Sequence, residues 1–100
     1  MSTQPLILVA EDEDLMRAIV SRLLEESGYR VAAVAGAEEA LEVFAAEDVA
    51  VTLTDIRMAG MDGLALLDRL KDIDPEALTV LGPLSEHVGA QVVAARGAAV

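Results

Sequence analysis

The chain has 100 residues, 54% of them hydrophobic and 25% charged, which is room and apolar material for one domain with its own core and excludes a disordered tail. Eighteen Asp and Glu against seven Lys and Arg leave a formal net charge of −11, a field that repels phosphate backbones and anionic lipid, so no direct nucleic-acid or membrane partner is expected. The absence of cysteine removes disulfides, thiolate nucleophiles and zinc–thiolate sites. No apolar run is long enough to span a bilayer and no signal-peptide core is visible, so the expected setting is cytoplasmic.

In chain order, Leu6 to Ala10 is apolar at every position, the pattern of a strand covered on both faces. The acidic run Glu11 to Asp14 ends it. From Leu15 the period is helical, with Met16, Ile19, Val20, Leu23 and Leu24 on one stripe and Arg17, Arg22, Glu25 and Glu26 opposite; Asp14 is the expected N-cap and Gly28 the residue after the C-cap. Tyr29 to Ala35 reads as a second strand, Gly36 as a break, Ala37 to Ala46 as a helix, and Val49 to Thr54 as a third strand ending at Asp55. A glycine-punctuated loop, Ile56 to Gly63, leads into a helix from Leu64 that Asp74-Pro75 closes. Leu78 to Leu81 is a fourth strand, cut short by Gly82-Pro83, and Glu86 to Arg96 a fourth helix. Short strands alternating with helices give an α/β fold with a parallel sheet and right-handed crossovers. Such folds place their reactive site beyond the carboxyl ends of the strands.

That is where the acids fall. Glu11 and Asp12 follow the first strand and Asp55 the third. If the two strands are neighbours, three carboxylates share one cleft, and like charges about 5 Å apart repel by about 3 kcal/mol at an effective dielectric of ~20. One remedy is to leave an acid protonated. The other is a hard cation, and Mg²⁺ suits one or two carboxylates with a backbone carbonyl, waters and a phosphate oxygen. With such a metal a carboxylate can take a phosphoryl group. Taken singly, acids before a helix are ordinary caps and dipole partners, and Asp55 an ordinary loop acid; their joint placement at the ends of two buried strands favours the site.

Ile7-Leu8-Val9-Ala10-Glu11-Asp12-Glu13 and Leu53-Thr54-Asp55-Ile56-Arg57-Met58-Ala59-Gly60-Met61-Asp62-Gly63 resemble the two diagnostic segments of bacterial two-component response-regulator receiver domains, and the resemblance covers residues 6 to about 75. It implies a flavodoxin-like doubly wound sheet of order 2-1-3-4-5, which sets the first and third strands side by side. It implies Asp55 as phosphoacceptor, charged by a histidine kinase or histidine phosphotransfer protein. It also implies Mg²⁺ held by Asp12 and Asp55, by Glu11 chiefly through water, and by the backbone carbonyl of Arg57. The protein would then be a signalling module, with self-dephosphorylation as the one reaction of its own.

The sequence departs from that pattern in three places. Ala59 stands where the family has Pro. The fourth strand ends at Gly82 or Pro83, depending on the direction of counting, where the family carries a Thr or Ser hydroxyl; Ser85 is the candidate switch hydroxyl only with a remodelled loop, and otherwise an N-cap. The chain runs to Val100, through a Gly97-Ala98 pair that resembles the one before the family's fifth strand. The expectation is therefore a single domain over 1–100, order 2-1-3-4, with the fifth strand and helix missing or incomplete and the usual Lys absent. Lys71, the only lysine, and His87, the only histidine, read as solvated surface residues. An uncovered fourth-strand edge would favour a homodimer. Two other readings compete. One is a pseudo-receiver that is never phosphorylated and acts as a protein-interaction module. The other is a phosphatase of the haloacid-dehalogenase type, disfavoured because Arg57 stands where that chemistry needs a second Asp.

Overall fold

The computed structural model describes residues 4–58 and 60–82. Within them the order is β1 (Leu6–Ala10), α1 (Asp14–Glu26), β2 (Arg30–Val34), α2 (Ala37–Ala46), β3 (Val49–Thr54), α3 (Gly63–Ile73) and β4 (Thr79–Leu81). The strands form one sheet of order β2-β1-β3-β4, and every pairing is parallel. This is the doubly wound α/β order expected of the chain.

The pattern of apolar residues explains the layers. β1 is buried along its whole length because it lies between β2 and β3 with helices on both faces. Its side chains alternate between two cores. Ile7 and Val9 join Val51 and Leu53 of β3 against Val20 and Leu24 of α1. Leu8 and Ala10 point the other way, toward Ala37 and Ala40 of α2 and Leu66 and Leu70 of α3. Each fully buried Leu, Ile or Val contributes roughly 1.5–3 kcal/mol, and their alternation along one strand ties the two helical layers to the same sheet. The small Ala37 and Ala40 let α2 approach closely. β2, the edge strand, is only partly buried, and Arg30 and Ala33 are exposed.

Helix ends depart from the sequence reading in instructive ways. α1 begins at Asp14 itself, with Glu13 at the N-cap and no side-chain cap. Asp14 does not cap because it is itself the first helical residue, and its carboxylate meets Arg17 three residues on, 2.6 Å away. At the other end Gly28 follows the C-cap as expected, at φ 95°; its N–H donates to the Glu25 carbonyl and that of Tyr29 to the Leu24 carbonyl, the paired bonds of a Schellman turn. That second bond keeps Tyr29 out of β2. α3 starts at Gly63, one residue early, because Asp62 caps it by accepting from the Ala65 N–H at 2.8 Å. Ala59, Pro83, Ser85, His87, the helix expected over 86–96 and the Gly97-Ala98 pair lie outside the described residues. Among the described residues no helix is long and apolar enough to cross a membrane.

Candidate functional site

The β1–β3 pairing sets the site. A register irregularity at Leu6 and Ile7 shifts the strands so that Ala10 faces Thr54, and the Asp55 N–H then donates to the Ala10 carbonyl at 3.3 Å. Glu11 and Asp55 are therefore the next residues out on two bonded strands, at the carboxyl end of the sheet. Glu11 remains tied to the other neighbour, its N–H donating to the Val34 carbonyl at 3.0 Å. The adjacency that the carboxylate argument needed is present.

Glu11 is only 3% exposed, Asp55 half-buried and Asp12 exposed. Burial pushes the Glu11 carboxyl above its ordinary value. The Glu13 N–H, donating to Glu11 Oε2 at 3.1 Å, opposes that rise, while the negative charge of Asp55 and the hydrogen bond and charge of Asp12 add to it. The ionised form of Glu11 is thus disfavoured by its burial and by the two acids beside it.

Asp55 is held by its own loop. Its Oδ1 accepts from the Arg57 N–H at 3.3 Å, and the Thr54 hydroxyl donates to the Asp55 carbonyl at 3.0 Å and lies 3.9 Å from Met58 Sδ. Met58 is buried with Leu66 and Leu70, so the loop is anchored in the core under α3. Gly63 closes the other side: its N–H donates to the Ile56 carbonyl at 2.9 Å, and a Cβ there would run into the Asp55 carbonyl. By pattern alone Gly63 is loop punctuation and Arg17 part of the helix face opposite the apolar stripe. Arg17 instead reaches back to the Glu11 carbonyl, and its spacing from Asp14 was the available signal.

At the fourth strand the structure decides between the two counts. Leu81 pairs with Thr54, and the Gly82 N–H donates to the Thr54 carbonyl at 3.2 Å, so Gly82 is the residue level with Asp55. It brings no hydroxyl. Lys71 lies exposed in the last turn of α3, as expected of a surface residue.

Among the described residues no three acids or histidines are gathered into a metal cage, Glu11, Asp12 and Asp55 included. The donor set nonetheless fits a hard cation. It is all oxygen, burial and then the neighbouring acid charges raise the Glu11 carboxyl, and magnesium retains several waters and needs only one or two carboxylates. A groove of about 470 Å³ lined by Leu6, Glu25, Arg30, Val31, Val43 and Glu47 sits at the opposite, amino end of the strands and shares no residue with the site.

A doubly wound α/β domain with acids at the ends of adjacent β1 and β3 is the architecture of a receiver-type signalling module. The sequence model of the response regulator receiver domain matches residues 7–96, and the chain belongs to that family, the receivers of two-component systems. The sensory/regulatory protein RpfC of Xanthomonas campestris pv. campestris is 42% identical over 65 residues, 65% of this chain and 9% of that protein. The chain thus spans a small part of that relative. A receiver domain protein from Clostridium thermocellum shares the fold at a TM-score of 0.81 and 23% identity, over 94% of this chain and 93% of that one. The response regulator TrrA of Thermotoga maritima, solved with Mg²⁺ and BeF, gives a TM-score of 0.77 at 27% identity over 92% of this chain and 81% of its own. In its complex with the histidine kinase ThkA it matches at 0.74 and 29% identity over 78% and 67%.

Proposed function

We propose that this receiver accepts a phosphoryl group on the Asp55 carboxylate from a phosphohistidine of a histidine kinase or histidine phosphotransfer protein in the cytoplasm. The observation that carries this is the placement of half-buried Asp55 one residue beyond the Ala10–Thr54 pair, in the field of Glu11 and Asp12. An Asp55 oxygen attacks phosphorus, an O–P bond forms and the P–N bond to the donor imidazole breaks; the imidazole nitrogen leaves with the bonding pair and takes up a proton. Glu11, Asp12, Asp55 and the Arg57 carbonyl would hold Mg²⁺, which when bound neutralises charge between the carboxylates and the phosphoryl oxygens. The Arg57 N–H keeps Asp55 oriented and leaves its second oxygen, Oδ2, for attack. TrrA, seen both with Mg²⁺ and BeF and with a histidine kinase, supports the metal and the partner class.

Incubation with Mg²⁺ and acetyl phosphate or beryllofluoride tests this directly. A mass gain of one phosphoryl group, or a beryllofluoride-induced spectral shift, that Asp55→Asn removes is expected; no change at saturating donor overturns it. A homodimer through β4 belongs to the same proposal: among the described residues β4 is bonded to β3 alone and Leu78 beside it is 49% exposed. Sedimentation at several concentrations reads it, and a monomer at the highest concentration rejects it.

A further inference from the structure

The guanidinium of Arg17 makes two bonds that span the acidic turn between β1 and α1. Nη1 donates to the Glu11 carbonyl at 2.9 Å and Nη2 to Asp14 Oδ1 at 2.6 Å. The Asp14 end of this fork lies at the surface, its side chain 91% exposed, but the arginine end is held in. The Arg17 side chain is 23% exposed, against 84% for Arg22, whose contact with Glu26 on the same helix is a loose 3.3 Å. The Glu11 carbonyl is the first beyond β1, where the chain turns away, and Arg17 supplies its donor. Below it, the Arg17 backbone N–H donates to the Glu13 carbonyl at 2.9 Å, and the Ser21 hydroxyl donates to the Arg17 carbonyl at 2.6 Å, which fixes the arginine on the first turns of α1.

We infer that Arg17 is a positioning residue for the cation site: one planar fork pins both ends of Glu11–Asp14 and so sets where Asp12, between them, presents its carboxylate. Arginine suits the task and lysine does not, because a fork can bridge a carbonyl and a carboxylate in fixed directions while an ammonium is a point charge. Removing a cation beside an acidic pocket would by simple electrostatics strengthen Mg²⁺ binding. Positioning predicts the opposite, and this contrast makes the inference testable.

The inference rests on the proposed Mg²⁺ site, so titration calorimetry with Mg²⁺ alone is the measurement, accompanied by the melting temperature in EDTA. Wild type should bind; Arg17→Gln should bind on the order of tenfold more weakly, the usual scale for groups that orient ligands. Arg17→Lys should fall between, and Arg22→Gln should match wild type. A merely structural arginine would lower the melting temperature in EDTA and leave the Mg²⁺ constant of the folded variant unchanged. Unchanged or tighter binding in Arg17→Gln overturns the inference while the site stands, and if that variant does not fold, Arg17→Lys with wild-type affinity does the same. Absence of binding in wild type overturns the site itself and the inference with it.

Discussion

Gly63 and Glu11 carry sharply different strains, one steric and one electrostatic, and each predicts its own experiment. A Cβ on Gly63 would lie 3.1 Å from both the Asp55 carbonyl carbon and Ile56 Cα and closer still to the Asp55 oxygen. These are backbone atoms, which cannot swing aside. Gly63→Ala should therefore cost at least about 2 kcal/mol in urea unfolding, since overpacking costs about 1–3 kcal/mol even where side chains can adjust, and should also displace Asp55. Loss of acetyl-phosphate labelling in the variant that remains folded is the expected outcome. Glu11 has an ordinary carboxyl value of 4.5, raised in the folded protein mainly by burial and then by its acidic neighbours. Between 4.5 and the raised value the native state binds more protons than the unfolded chain, so without metal this residue's share of stability is present at low pH and is lost as pH rises through that window. Glu11→Gln should remove that slope, and the difference between the two melting-temperature profiles in EDTA measures it; parallel profiles would refute it.

At the scale of elements, the order of strands and helices was legible in the residues because apolar period and punctuation agree along the chain: β1, α2 and β3 have the expected limits. The acids at the ends of β1 and β3 were legible for the same reason, since a buried strand can only release its first charged residue beyond the sheet. Contacts made by the turn itself were not. Asp14 looks like a cap in isolation and becomes the partner of Arg17 only when α1 starts one residue earlier. Which residue lies level with Asp55 on β4 required the β3–β4 register, because counting forward from Asp74-Pro75 and back from Gly97-Ala98 gives two answers. The end of α1 illustrates a glycine of the opposite kind to Gly63. Gly28 has nothing within 4 Å of an added Cβ, yet its φ is 95°. Gly28→Ala should thus cost about 1–2 kcal/mol of conformational energy alone and leave labelling of Asp55 intact in the folded fraction, as a denaturation curve and a labelling assay on one sample would report.

For the whole molecule, the −11 charge divides into a dispersed surface part and the concentrated part at Glu11, Asp12 and Asp55. The two respond differently to cations. Dispersed charge is screened by any salt, whereas the proposed site at the strand ends should respond to a divalent ion. Mg²⁺ at ten times its dissociation constant should stabilise the native state by about 1.4 kcal/mol through mass action, which for a domain of this size raises the melting temperature by roughly 5–10 °C. Sodium chloride at matched ionic strength should fall well short of that. Asp55→Asn then separates repulsion from ligation. It deletes one of the charges that load Glu11, so in EDTA the variant should melt higher than wild type, by the equivalent of about 1 kcal/mol after solvent screening. In the proposed site it also deletes a ligand, so its further gain with Mg²⁺ should be much smaller. A variant that melts lower in EDTA, or keeps the full Mg²⁺ increment, would place the acidic strain and the cation elsewhere than at the β1–β3 junction.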